Sequence, residues 1–216
     1  MTNLSKALQG LKRFTTCDIG DALVNLKQPY GGFLDGLKMY SPGGGSIAGP
    51  AITVKMVETK SPGPTPPVHF ADANKEGHIM YIQQPKGMYS ACWGGLMSTR
   101  AQKLGSLGTM VDGRMRDTQE HIDMGYPVFA RDTSVLGSNT FTRASEINVP
   151  VQFKGDLWVY PNDILVGDEN GVVVVPPSLL EQVVELCKER LEIDEKIMEA
   201  LRAGEPMGPT IKRLRK

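Results

Sequence analysis

The amino-acid sequence predicts a single α/β domain with helices at both ends. Helix-spaced apolar residues occupy both termini, and a strand, helix, strand, helix order runs between residues 78 and 124. Beyond residue 127, short β-branched runs alternate with Gly, Asn, Asp and Pro. A chain of 216 residues can form one large domain or two small ones, and nothing in the pattern requires two. The expected division is a domain over residues 1–202 and a basic C-terminal tail over 203–216.

Leu4, Ala7, Leu8 and Leu11 recur at helical spacing, and Thr15-Thr16-Cys17-Asp18 offers caps for a second short helix through Leu23 and Leu26. Residues 29–45, rich in Gly, Pro and Tyr, read as a loop. Residues 46–58 carry Ile47, Ile52, Thr53, Val54 and Val57 and read as a strand bent at Gly49-Pro50. With four prolines, SPGPTPPVHF (61–70) reads as a surface excursion. A helical turn over 71–77 then precedes an apolar strand over 78–83.

Trp93, Leu96, Met97, Ala101 and Leu104 form an i, i+3, i+4 stripe, which predicts a helix between Gly94 and Leu104 that stops at Gly105. A short buried strand follows over 107–112, Gly113 turns the chain, and a second helix spans 117–124 with acids in its first turn. Short strands are expected at 128–130, 149–153, 157–160, 164–167 and 172–175. Ser178 and Glu181 suggest a capping box for a long helix reaching about Leu201, its apolar face marked by Leu180, Val183, Val184, Cys187, Leu191 and Met198. The KRLRK ending reads as a solvated basic tail.

Composition narrows the function. Lys plus Arg equal Asp plus Glu at 24 each, so no overall field recruits nucleic acid or an anionic membrane. The longest apolar runs fall far short of the roughly 20 residues of a membrane helix, and residues 1–10 lack a secretory apolar core, so a cytoplasmic protein is expected. Cys17, Cys92 and Cys187 have no CxxC spacing and read as reduced thiols. His69, His78 and His121 have no zinc-ligand spacing. GGGSIA at 43–48 matches a loose dinucleotide fingerprint, but a strand containing Pro50 follows where the motif needs a helix. Ser46 lacks the strand-turn-helix setting of a hydrolase nucleophile.

One constellation survives. Gly94 and Gly95 leave the first turn of their helix without side chains, so the N–H groups of Gly95, Leu96 and Met97 can approach a carboxylate; Gly-Gly can equally mark a tight helix entry. Asp117 and Glu120, three apart, would share one helix face and offer oxygen ligands to Mg²⁺ or Mn²⁺, against the plainer reading of ordinary helix-start charge. His121 shares that face and could be a further ligand, but a lone His beside hard oxygen ligands is seldom required, so it reads as a supporting or surface residue. Arg116 can pair with a substrate carboxylate or enolate oxygen, or form a salt bridge to Asp112 or Glu120. Asp112-Gly113 alone is turn chemistry.

Gly95, twenty intervening residues, Arg116-Asp117, two more and Glu120 together resemble the G-x20-R-D-x2-E/D signature of RraA-like proteins and 4-hydroxy-4-methyl-2-oxoglutarate aldolases. The blocks TCDIGDAL (16–23), IAGPAITV (47–54), YPVFAR (126–131), INVPV (147–151) and GDENGV (167–172) resemble the same family in order, covering most of residues 15–176. The resemblance implies a single-domain, three-layer β/β/α swivelling-domain fold with N-terminal helices and a long C-terminal helix, assembled as homotrimers or as hexamers (dimers of trimers). It implies metal-dependent aldol cleavage of a 4-hydroxy-2-oxo acid to pyruvate, with oxaloacetate decarboxylation. The roles implied are Leu96 and Met97 amides for the pyruvyl carboxylate, Arg116 for the keto or enolate oxygen, and Asp117 for the cation. Glu120 would stand in for the acid that other members carry at position 95. The alternative implied by the same resemblance is a non-catalytic regulator that binds and inhibits a protein partner. Gly77-His78 in place of Gly-Asp, Asn162 within Pro161–Asp163, and the segment 61–70 depart from the family pattern outside these residues.

Overall fold

The structure is a computed structural model that describes residues 3–42 and 45–215. Gly43 and Gly44 of the discounted glycine run, and the side chain of Leu4, lie outside the described residues. The chain opens with α1 (Asn3–Leu11) and α2 (Thr16–Asn25). Thr15 caps α2 in a full capping box with Asp18. The stretch expected to be a loop contains a 3-10 turn (Pro29–Gly32) and an edge strand, β1 (Lys38–Ser41). Four residues are too few to show a period, and β1 is specified by its antiparallel pairing with β5 (Val128–Thr133).

The central strand is β2 (Ile47–Glu58). Its first half pairs antiparallel with β9 (Ile164–Asp168) and its second half parallel with β3 (Ile79–Gln83). Between them the Pro-rich excursion is pinned by Arg143, which donates to the carbonyls of Ser61 and Pro64, and it ends in a 3-10 turn (Phe70–Ala73). Next come α3 (Gly95–Lys103), β4 (Gly108–Met115) and α4 (Thr118–Asp123). The strand β6 (Thr142–Ile147), which was not expected, pairs with the end of β2. A separate hairpin, β7 (Val151–Lys154) and β8 (Leu157–Val159), precedes β9 and β10 (Gly171–Val175).

The main sheet runs β1-β5-β4-β3-β2-β9-β10, with β2 to β5 parallel. A bridge between Phe33 and Val173 brings the two ends of this order together, so the sheet is nearly closed. Its interior face buries Tyr81, Met110, Phe129 and Leu165 against Phe153 and Leu157 of the β7-β8 hairpin. The outer face of the parallel strands packs on α3 through Met80, Val111, Trp93 and Ala101. On the other side, β9 and β10 pack against α1, α2 and the long helix α5 (Leu180–Arg202) through Leu11, Leu23, Val166, Val183 and Cys187. The mixed α/β fold, with N-terminal helices and a long C-terminal helix, is the one expected.

Several local expectations change. Gly113 does not turn the chain, because β4 continues to Met115 through a bulge opposite β5. The Ser178–Glu181 capping box does not form; a 3-10 turn (Pro177–Leu179) leads into α5, whose N-cap is Leu179. Residues expected to be a solvated tail fold back as α6 (Met207–Leu214) on α5, with Arg215 paired to Asp194 of α5 and Arg213 to Glu205 of the connecting turn. Asn162 takes a left-handed conformation (φ 70°), which Asn tolerates where glycine is the usual choice. Among the described residues no helix is long and apolar enough to cross a membrane.

Candidate active site

Beyond Asp112 the strand β4 pairs with the approach to α3. Cys92 N donates to Arg114 O, Trp93 bridges Met115, and Arg116 N donates to Trp93 O at 3.0 Å. The entry to α3 and the exit of β4 therefore run side by side, which brings Gly94-Gly95 against Arg116-Asp117. Trp93 is held by its own indole N–H, which donates to the buried Ser98 Oγ at 2.8 Å.

Asp117 is the hinge of the site. It is the N-cap of α4 in a left-handed conformation (φ 63°, ψ 40°), a strained choice for a non-glycine residue that costs about 1–3 kcal/mol unless the surroundings fix it. Its carboxylate turns away from α4 and accepts the Gly95 N–H at 3.0 Å, with Arg116 Nε 3.4 Å from the same oxygen. His121 supports the turn from beneath. It is fully buried, its Nε2–H donates to the Arg116 carbonyl at 2.8 Å, and its Nδ1 has no partner among the described residues. Burial holds this imidazole below its ordinary value, so it is neutral at pH 7 and matches a carbonyl acceptor.

Glu120 approaches the same glycines from the first turn of α4. A Cβ placed on Gly95 would stand 1.7 Å from Glu120 Oε2, and one placed on Gly94 would stand 2.6 Å from Asp117 Oδ2. The two glycines leave the room that both carboxylates occupy at the start of α3. Asp117 and Glu120 do converge, but not as two residues on one helix face, because Asp117 precedes α4 rather than belonging to it.

The amides behave differently from the expectation. Gly95 N–H is taken by Asp117, and Met97 N–H donates to Gly94 O at 3.0 Å. Leu96 N–H alone of the three has no partner among the described residues. Nor does Leu96 belong to the buried stripe: its side chain is 88% exposed, and α3 instead buries Gly95, Ser98 and Ala101.

These groups border a cavity of about 300 Å³ lined by Trp93, Gly94, Leu96, Met97, Arg116 and Asp117. Its opposite wall is the loop from Leu136 to Phe141, which the sequence did not single out. Gly137 lets the Arg116 guanidinium lie close, since a Cβ there would be 3.1 Å from Nη1. The Gly137-Ser138-Asn139 cluster was the available signal, though it also marks any turn. The cavity offers one free amide, one guanidinium and adjacent carboxylates. That set suits a small anion held by the amide and the guanidinium.

Residues 16–174 match the family model described as RraA-like, Aldolase/RraA. Over 208 residues the chain is 32% identical to "Uncharacterized protein MJ0644" of Methanocaldococcus jannaschii, covering 94% of this chain and 93% of that protein. Over 149 residues it is 30% identical to a protein of Halalkalibacterium halodurans named "Putative 4-hydroxy-4-methyl-2-oxoglutarate aldolase", covering 69% of each. Among solved structures, an uncharacterized protein from Pseudomonas syringae pv. tomato superposes with a TM-score of 0.82 at 26% identity, covering 95% of this chain and 96% of that one.

Proposed function

This chain belongs to the RraA-like family, and on that premise we propose that it is a divalent-metal-dependent carbon–carbon lyase. Its reaction is cleavage of a 4-hydroxy-2-oxo acid to pyruvate, with oxaloacetate decarboxylation at the same site. The observation that carries the reading is the convergence of Arg116, Asp117 and Glu120 on the Gly94-Gly95 turn, through the left-handed backbone at Asp117.

The donor set suits Mg²⁺ or Mn²⁺. Two hard carboxylates border the Gly94-Gly95 turn, and since among the described residues no group of three or more His, Cys, Asp or Glu forms a ligand set, a cation there would draw its remaining ligands from water and substrate. Asp117 and Glu120 would hold it, and when bound it supplies Lewis-acid polarisation of the 2-keto oxygen.

The chain's own residues do the rest. Leu96 N–H, with Gly94 and Gly95 leaving the approach clear, receives the pyruvyl carboxylate. Arg116 lines the cavity and faces the keto oxygen, where charge develops as the C3–C4 bond breaks; its donors are worth most at that stage. Asp117 fixes Arg116 through the 3.4 Å contact, and His121 fixes the peptide between them. Trp93, Met97, Leu136 and Phe141 wall the cavity with apolar surface that limits water around the enolate.

The reading includes assembly as a homotrimer or hexamer, with the site near a subunit contact. Leu96 and Val135, 88% and 92% exposed beside the cavity, support this, since large apolar side chains at a functional rim are characteristic of covered surface. A cytoplasmic setting accords with three free cysteines, two of them buried.

The test is pyruvate release from oxaloacetate and from 4-hydroxy-4-methyl-2-oxoglutarate with Mg²⁺, Mn²⁺ or a chelator. Activity is expected with metal, and is expected to disappear with chelator and in Asp117→Ala. Turnover that survives both would sink the metal-dependent reading. No turnover on any 2-oxo acid, with a protein partner recovered in stoichiometric complex, would favour the regulatory alternative.

A further inference from the structure

A second cavity, larger than the one described above, lies elsewhere among the described residues. It encloses about 630 Å³ on the other face of β4. The bulge that sets Asp112-Gly113 against the single residue Arg131 of β5 separates the strands there, at the carboxyl end of the parallel sheet. Crevices at that end of a parallel α/β sheet are where ligands usually bind. The 85–89 loop forms one wall and Phe153-Lys154 of the β7-β8 hairpin another.

The lining is polar and organised around one guanidinium. Arg131 is fixed on three sides: its Nε donates to Asp112 Oδ1, its Nη1 donates to the Asp35 carbonyl at 3.0 Å, and its Cζ lies 5.0 Å from the Phe153 ring centroid. Asp112 is only 8% exposed and also accepts the buried Tyr81 hydroxyl at 3.4 Å. A carboxylate is thus sunk into the sheet to hold an arginine that remains 40% exposed, with Nη2 unpartnered among the described residues. None of these groups touches the Arg116-Asp117 site.

Charge and shape agree on the occupant. Four cations line the cavity against three carboxylates. Two of those carboxylates are engaged, Asp112 by Arg131 and Asp132 by Arg114 at 2.7 Å. Lys86 and Lys154 have no ion-pair partner among the described residues; Lys154 Nζ instead lies 5.3 Å from the Tyr30 ring centroid. Beside them Phe153, Met88 and Tyr89 present flat apolar surface, and Tyr89 packs edge-on against Phe141, 5.2 Å between centroids. Phe141 lines the smaller cavity, so the two cavities share this partition.

We propose that this cavity is a second binding site, for a small organic anion whose phosphate or carboxylate sits among Arg131, Lys86 and Lys154 and whose planar body lies along Phe153 and Tyr89. A cavity of this volume accepts a molecule larger than a free inorganic ion, and the fixed guanidinium supplies a preorganised donor fork.

The experiment is calorimetric titration of the full chain with phenyl phosphate, benzoate and the neutral comparator benzyl alcohol. At least one anion is expected to bind saturably, one per chain, and benzyl alcohol is not. Phenyl phosphate alone would identify the head group as a phosphoester, benzoate alone as a carboxylate. The exposed pair Lys86→Ala/Lys154→Ala is expected to weaken binding at least tenfold without moving the melting temperature, whereas Arg116→Ala should leave it unchanged. The proposal is overturned if neither anion binds at millimolar concentration, if the lysine pair has no effect, or if Arg116→Ala abolishes binding and so places the probe in the smaller cavity.

Discussion

Gly95→Ala is the smallest change that separates the proposed metal site from the fold around it. The added Cβ would stand 1.7 Å from Glu120 Oε2 and 2.7 Å from its Cδ, whereas real contacts of this kind are not found under 3.0 Å. The carboxylate must therefore withdraw by at least about 1.3 Å. Glu120 is exposed and flexible, so its retreat is inexpensive, and alanine in the first helical turn restricts the unfolded chain by about 0.4–1 kcal/mol in favour of folding. The net stability change is expected to stay within about 1 kcal/mol, a melting shift of no more than about 2–4 °C for a chain of this size. Cation binding should change far more. Removing one of two carboxylates is expected to weaken it at least about tenfold, or roughly 1.4 kcal/mol. Mn²⁺ titration followed by electron paramagnetic resonance, alongside thermal melting, reads both quantities. Glu120→Ala should give the same loss, and the double variant should add nothing to it, because both changes remove one ligand. If Glu120→Ala binds Mn²⁺ as the parent does, Glu120 is not a ligand and the site must be rebuilt around Asp117 alone.

Other outcomes follow from the same structure. Burial raises the Asp163 carboxyl to about 6, while the unfolded value is near 3.8. Over that interval the folded state binds the extra proton, so stability should fall as pH rises from about 4 to 6 and then level off. Asp163→Asn should remove the slope and be more stable at pH 7 by up to about 3 kcal/mol, measured by urea unfolding at several pH values. Asp168→Ala takes away the acceptor of the Thr16 N–H and hydroxyl, both at 2.7 Å, and of Asn170 N–H at 2.9 Å. It should cost about 2–4 kcal/mol in equilibrium unfolding. Val135→Asp, on the proposed assembly, should lower the mass seen by light scattering to that of one chain while leaving the chain folded, and an unchanged mass would refute the contact.

The fold was legible where periodicity is long enough to read. The apolar stripe of α5, the β-branched run of β2 and the Thr15-Asp18 cap each state their structure locally. The misses are segments whose structure is decided by distant partners. Lys38–Ser41 is a strand because β5 leaves an edge open, Thr142–Ile147 because the end of β2 does, and Met207–Leu214 lies back on α5, where Arg215 just beyond it pairs with Asp194. In the site, the residues were visible but their geometry was not. The spacing of Asp117 and Glu120 suggested one helix face, whereas the left-handed turn at Asp117 brings them together from two different backbone settings. Nor does spacing reveal that Asp117 itself consumes the Gly95 amide.

The clasp between Thr16 and Asp168 also sets an order of events during synthesis. Its partners are 152 residues apart, and the helices it joins to the sheet bury Leu11, Ile19 and Leu23 against Val166, Val173 and Val183. During synthesis α1 and α2 precede β9, β10 and α5 in the chain and lack their packing partners until β9, β10 and the start of α5 follow. At about 5–20 residues per second, these two helices wait on the order of ten seconds or more with their apolar faces uncovered. The helices thus find their place only long after they are made, and truncated chains ending before Asp168 should be recognised by chaperones through that waiting surface.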